Sequence, residues 1–116
     1  MSPPQPSLDE IRRALASHRP RLVPDEGRRR AAVAMLLRES SAAPEVLLIE
    51  RARREGDPWS GHMAFPGGRV DAVDPSPRVA AERETLEEVG VSLAGAEALG
   101  RLDDLQGREA SGYPTL

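Results

Sequence analysis

The stretch from Phe65 to Gly90 limits the possible folds of this chain more than any other part. It opens Phe65-Pro66-Gly67-Gly68 and closes Arg83-Glu84-Thr85-Leu86-Glu87-Glu88-Val89-Gly90. The glycine pair predicts a turn with bare backbone. Ser76-Pro77 predicts the start of a helix, an N-cap serine with proline at the first helical position. Gly90 predicts its end as a C-cap, so the helix runs to Val89. Within it Glu84, Glu87 and Glu88 stand at i, i+3 and i+4, a spacing that puts them on one side of a helix. Three neighbouring anions repel each other and need compensation. A divalent cation supplies it, because hard cations such as Mg²⁺ take oxygen ligands, usually a few carboxylates plus the phosphates of a substrate.

The rest of the chain sets bounds. Its 116 residues fit one domain. A formal net charge of −3 gives no sign of nucleic-acid or membrane binding. All 16 basic residues are arginine, which we read as codon bias in a GC-rich genome and which leaves planar guanidinium forks for phosphates. The absence of cysteine excludes disulfides and thiolate metal sites. No apolar run reaches the roughly 20 residues of a membrane span, and no signal pattern opens the chain. A cytoplasmic location is the expectation.

Residues 1–6 are proline-rich. Ser7-Leu8-Asp9-Glu10 reads as a capping box opening a helix to about His18, with Leu8, Ile11 and Leu15 as its apolar stripe and Pro20 ending it. Residues 19–30 read as a connector. The run Ala31 to Leu37 predicts one strand and Glu45 to Arg51 a second, paired as a hairpin across the turn residues 40–44. Residues 52–60 read as a loop and Met63 to Phe65 as a short strand. In the box helix the apolar positions are Val79, Leu86 and Val89, with Ala80 and Thr85 fitting around them. Leu99 to Leu102 predicts a further strand, and Asp103 to Gly112 a turn-like segment. The ending Gly112-Tyr113-Pro114-Thr115-Leu116 reads as the start of a strand, the expectation being a chain truncated at its C-terminus.

Arg83 to Val91 matches R-E-U-x-E-E-x-G-U (U apolar), the second half of the Nudix box, and Phe65 to Gly68 matches its usual lead-in. The chain resembles the Nudix hydrolase family over roughly Ala31 to Leu102. Two positions depart from the pattern. Thr85 stands where a bulky apolar side chain is usual. Arg83 follows Gly68 by 15 residues, one more than the common spacing. Counted from Gly68, the position usually held by glutamate is Asp74; counted back from Arg83, it is Pro75. The longer spacing, Asp71 and Asp74 after the glycines, the segment Leu47-Leu48-Ile49-Glu50-Arg51-Ala52, and Gly61 four residues before Phe65 are similar to the subgroup that cleaves coenzyme A. The subgroup usually has a basic residue a few positions before that glycine, where Asp57-Pro58-Trp59-Ser60 intervenes here.

The resemblance implies an α+β fold, an α/β/α sandwich with a mixed sheet and a loop-helix-loop box, incomplete at the C-terminus. Residues 1–30 would be an N-terminal helix and linker, and residues 31–116 a partial Nudix domain. It also implies Mg²⁺ or Mn²⁺ held by Glu84, Glu87 and Glu88. Glu87 is either a ligand or the base acting on water. Arg83 holds a box glutamate in its working rotamer, so that Glu84, Glu87 and Arg83 form the catalytic group. Gly67 and Gly68 bind substrate or metal through bare backbone. Arg51 and Arg53 either face the substrate phosphates or are solvated charge. Asp71 and Asp74 suit a loop and helix start, a metal role for Asp74 being the alternative. Trp59 is packing or an adenine platform, and His62 is structural.

The implied reaction is hydrolysis of a small nucleoside diphosphate derivative. For coenzyme A or acyl-coenzyme A the products are 4′-phosphopantetheine (or its acyl form) and adenosine 3′,5′-bisphosphate. The rivals are hydrolysis of ADP-ribose or another nucleoside diphosphate derivative, and a Nudix-fold module that binds a nucleotide without cutting it. Neither nucleic acid nor membrane is an expected partner, and a homodimer is left open.

Overall fold

A computed structural model describes residues 5–51, 55–56 and 61–106. Trp59, Arg53 and the strand expected at Gly112 to Leu116 lie outside the described residues. The elements are α1 (Leu8–Ser17), β1 (Ala31–Val33), β2 (Leu37–Arg38), β3 (Glu45–Val46), β4 (Ile49–Glu50), β5 (Met63–Ala64), β6 (Gly67–Arg69) and α2 (Pro77–Val89). This is the mixed α/β content expected. No helix among the described residues is long and apolar enough to cross a membrane.

The strands pair as three antiparallel couples, β1 with β6, β2 with β3 and β4 with β5. Hydrogen bonds beyond the strand ends extend these couples. Val70 N donates to Arg30 O at 2.9 Å, Ala34 N to Pro66 O at 2.8 Å, Leu47 N to Leu36 O at 3.0 Å and Arg51 N to His62 O at 2.9 Å. Three bent segments, residues 30–38, 45–51 and 61–70, therefore each divide their hydrogen bonds between the other two. The hairpin expected of the first two forms only at β2–β3, with Leu37 opposite Val46. The single strands expected at Ala31 to Leu37 and Glu45 to Arg51 are each split into two. The cause is the third segment, which pairs with both and bends at Phe65-Pro66, where proline has no N–H to donate.

The glycine pair is strand rather than turn. Gly67 and Gly68 belong to β6 and pair with Val33 and Ala32. Helix α2 packs on the β1–β6 couple. Ser76 Oγ accepts from Val79 N at 3.2 Å, Pro77 opens the helix, and Gly90 closes it in the left-handed conformation at φ 71°, as the sequence predicts.

The buried side of α2 differs from the expected one. Ala80, Ala81 and Thr85 are buried, whereas Val79 is 37% and Leu86 51% exposed. At 100° per residue, Ala80, Ala81, Glu84, Thr85 and Glu88 occupy one arc, and Val79 and Leu86 lie roughly half a turn away. A helix approaching a glycine strand this closely has room only for small side chains, so the bulky apolar residues face outward. Thr85 fits the narrow interface, and its Oγ1 donates to Ala81 O at 2.7 Å, which satisfies the buried hydroxyl.

Helix α1 starts as predicted, with Ser7 Oγ accepting from Glu10 N at 3.1 Å. Its stripe of Leu8, Ile11 and Leu15 is half-buried. It is tied to the 97–104 segment. Arg12 forks onto both oxygens of Glu97 at 3.0 Å. A Cβ on Gly100 would sit 3.1 Å from Leu15 Cβ. Asp103 accepts from Arg21 N at 2.8 Å, and Asp104 from Val23 N at 2.9 Å. The strand expected at Leu99 to Leu102 is absent. These residues run alongside the connector through side-chain caps, with Asp104 N to Arg21 O as the backbone bond between them.

Candidate functional site

Arg83, two turns into α2, is the hub of the site. Its Nε donates to Asp74 Oδ1 at 3.1 Å and its Nη2 to Asp74 Oδ2 at 2.9 Å. The same Nη2 reaches Arg69 O at 3.3 Å and Asp71 Oδ2 at 3.3 Å. Nη1 reaches Glu84 Oε1 at 3.0 Å and Glu87 Oε1 at 3.5 Å. One planar guanidinium thus ties the β6 strand, the loop after it and two helix carboxylates together, which a lysine point charge could not do.

Asp74 is the anchor. Its side chain is only 4% exposed. It accepts Asp71 N at 2.8 Å in addition to the Arg83 fork. The Arg83 bonds, and then the Asp71 N–H, hold its carboxyl below the ordinary range. The same pairing pushes the Arg83 guanidinium above its already high value. The sequence offered Asp74 as the residue at the usual box-glutamate position but left its task between helix start and metal ligand. The structure makes it the partner of Arg83. An acidic residue just before the helix cap, within reach of an arginine two turns in, was the available signal. The Arg69 carbonyl, by contrast, carries none.

This predicts a pH effect. A depressed carboxyl binds fewer protons folded than unfolded. Its contribution is complete above the unfolded value near about 3.9 and is lost as pH falls through the folded one. Asp103 and Asp104 are depressed too, first by the Arg21 and Val23 N–H groups. The melting temperature should therefore drop as pH falls from about 4 toward 2, and more gently in Asp74→Asn. Equal slopes for the two proteins in a pH series of thermal melts would contradict the role given to Asp74.

The three glutamates do not face the same way. Glu88 Oε1 accepts from Gly67 N at 3.2 Å. Glu84 lies against Gly68, where a Cβ would come within 2.7 Å of the Glu84 Cδ. Glu87, 58% exposed, turns to Arg83 from the flank of the helix. Gly67 and Gly68 thus form a bare strip of backbone on which two of the three carboxylates rest. As donors the set suits a hard divalent cation, being entirely oxygen. Among the described residues, however, no three acidic or histidine side chains converge closely enough to hold an ion as they stand.

Asp71 is beside Arg83, as described above. Arg51 and His62 face each other across the end of the β4–β5 couple, on the segment that continues to Gly67. Gly61 N also donates to Arg51 O at 3.0 Å.

The chain is similar in sequence to known proteins. The sequence pattern of the NUDIX domain matches residues 27–114. An uncharacterized protein of Schizosaccharomyces pombe is 41% identical over 108 residues, covering 78% of this chain and 33% of that protein. An uncharacterized Nudix hydrolase NudL of Citrobacter koseri is 34% identical over 96 residues, covering 83% of this chain and 50% of its own length. NudL of an Enterobacter strain gives the same figures. The chain thus spans between a third and a half of the length of these relatives. With the family pattern matched over most of its length and the box residues gathered around Arg83, the chain belongs to the NUDIX domain family.

Proposed function

We propose that the protein is a divalent-cation-dependent hydrolase of the diphosphate bond in small nucleoside diphosphate derivatives. We take its substrate to be coenzyme A or an acyl derivative, released as 4′-phosphopantetheine or its acyl form and adenosine 3′,5′-bisphosphate. The observation that carries the reading is the turn of Glu84 and Glu88 onto the bare Gly67-Gly68 backbone, beside an Arg83 fixed by Asp74. Glu84 and Glu88 would hold Mg²⁺ or Mn²⁺, which when bound would neutralise the diphosphate and acidify an attacking water.

The chain's own groups then have separate tasks. Arg83 keeps Glu84 and Glu87 from swinging into solvent, and Asp74 keeps Arg83 in place. Glu87, exposed and bonded to Arg83, takes the proton from the water as the water oxygen bonds to phosphorus and the bridging oxygen departs with the bond pair. Gly68 leaves room for substrate and carboxylate against one strand. Arg51, on the segment leading to the box, pairs with substrate phosphates. The coenzyme A assignment is supported by the 15-residue step from Gly68 to Arg83 and by Leu47 to Arg51. The same reading takes the protein as a cytoplasmic enzyme with the α/β/α sandwich of its family.

Purified full-length protein with Mn²⁺ or Mg²⁺ should cleave coenzyme A, stop on chelation with EDTA, and recover when the ion is restored. Rapid turnover of ADP-ribose with coenzyme A left intact would move the substrate to the rival class. Activity indifferent to EDTA would remove the cation.

A further inference from the structure

The arginine run Arg28-Arg29-Arg30 has no place in the reaction above. The structure sets it against the strand that carries the glycines. Val70 N donates to Arg30 O at 2.9 Å and Arg69 pairs with Ala31, so the run and Arg69 meet at the end of the β1–β6 couple. There they line a notch of about 200 Å³ together with Asp25 and Asp71. Four arginines and two aspartates thus line it, in a protein whose formal net charge is −3.

Two of the four cations are partly answered, Arg30 by Asp25 at 3.4 Å and Arg28 by Glu26 at 3.7 Å. Arg29 and Arg69 have no ion pair among the described residues. Asp71, the second carboxylate, is already paired with Arg83 at 3.3 Å. The notch therefore holds cationic charge that nothing in the described chain neutralises. Whole-ligand pockets run to about 300–1,000 Å³, so a notch of this size suits one charged group of a larger molecule. Guanidinium forks match the oxygens of a phosphate.

The notch joins the box through two contacts. Asp71 belongs to both, and Arg83 Nη2 bonds to the carbonyl of Arg69 at 3.3 Å. Side chains alternate along a strand, so Arg69 and the glutamate side of Gly68 point to opposite faces. A group in the notch is thus a different one from the diphosphate at the glutamates.

We propose that this notch is a phosphate-monoester subsite. It binds a terminal phosphate carried by the same nucleotide whose diphosphate is cut, with Arg29 and Arg69 as its free cations and Arg28 and Arg30 as support. The inference rests on the diphosphate reading of the box and adds a determinant of substrate choice.

Calorimetric titration of the full chain with adenosine 3′,5′-bisphosphate and with adenosine 5′-monophosphate tests it without turnover. The bisphosphate should bind about tenfold more tightly, a difference of about 1.4 kcal/mol. The Arg29→Ala/Arg69→Ala pair should remove that difference and leave the monophosphate unchanged. The single variants, each losing part of it, serve if the pair melts early. Equal binding of the two nucleotides, or a difference that survives the substitutions, overturns the subsite. Kinetics separate the two proposals. If coenzyme A is cut but its KM relative to 3′-dephospho-coenzyme A is unmoved by the pair, the notch fails and the box reading stands. If no diphosphate is cut while the bisphosphate preference depends on Arg29 and Arg69, the notch stands and the box reading fails.

Discussion

Glu88→Gln is expected to lower turnover by about 10³-fold while the protein stays folded. That figure corresponds to several kcal/mol of charge stabilisation at about 1.4 kcal/mol per factor of ten. The amide is nearly the same shape, and its oxygen can still accept the Gly67 N–H that now reaches Glu88 at 3.2 Å. What it loses is the negative charge. At an exposed helix position this has little effect on packing, so the thermal melt should move by no more than a few degrees. Glu87→Gln should cost about 10²- to 10⁴-fold, the range for removing a general base. A nucleotide-binding module without catalysis gives the other outcome, ligand affinity unchanged by Glu88→Gln and no turnover in either form. Turnover within about tenfold of the parent would rule out a reaction that depends on this carboxylate.

The two adjacent glycines should fail in opposite ways. In Gly67→Ala the new Cβ would lie 2.2 Å from Ala32 O and 2.5 Å from Val33 Cα, at a backbone φ of 155°. Those are main-chain atoms of the paired strand and cannot rotate away. Backbone strain of about 1–3 kcal/mol and overpacking of about 1–3 kcal/mol add up against a total stability of about 5–15 kcal/mol. Urea unfolding should show a large loss. In Gly68→Ala the clash is with the Glu84 carboxyl, 2.7 Å from its Cδ. That side chain can swing aside, so the stability loss should stay near about 1 kcal/mol. Displacing Glu84 from the strand should nonetheless lower kcat by about 10²-fold, as loss of a supporting group near a metal site does. The reverse order, Gly68→Ala unfolding first and Gly67→Ala merely inactive, would contradict the strand register of β6 on β1.

The local signals in the chain were legible. Ser7 and Ser76 cap the helices they precede, Pro77 and Gly90 bound α2, and the i, i+3, i+4 glutamates mark one side of it. These depend on backbone chemistry within a few residues, which the sequence states directly. The short apolar runs predict the extended conformation and the β2–β3 hairpin, but not the third segment that pairs with both. Hydrogen bonding between strands is set by segments far apart, and a bent strand at Phe65-Pro66 divides its partners in a way no run of apolar residues encodes. Leu86 and Val79 are apolar positions of the box helix. They face outward because the glycine strand draws α2 too close for large side chains.

By itself, the sequence determined the box: its residue types, their spacing, the helix ends and the membership of the family. How the charges are shared follows from the fold. Among the described residues Arg83 reaches four carboxylates, and the fold gives its fork to a nearly buried Asp74, its other nitrogen to Glu84 and Glu87, while Glu88 turns to Gly67. The reason is distance. Charge-assisted hydrogen bonds need a separation of about 3 Å, so the partners are those that chain pairing brings near, and the pairing of β1 with β6 places Arg69, the glycines and α2 together.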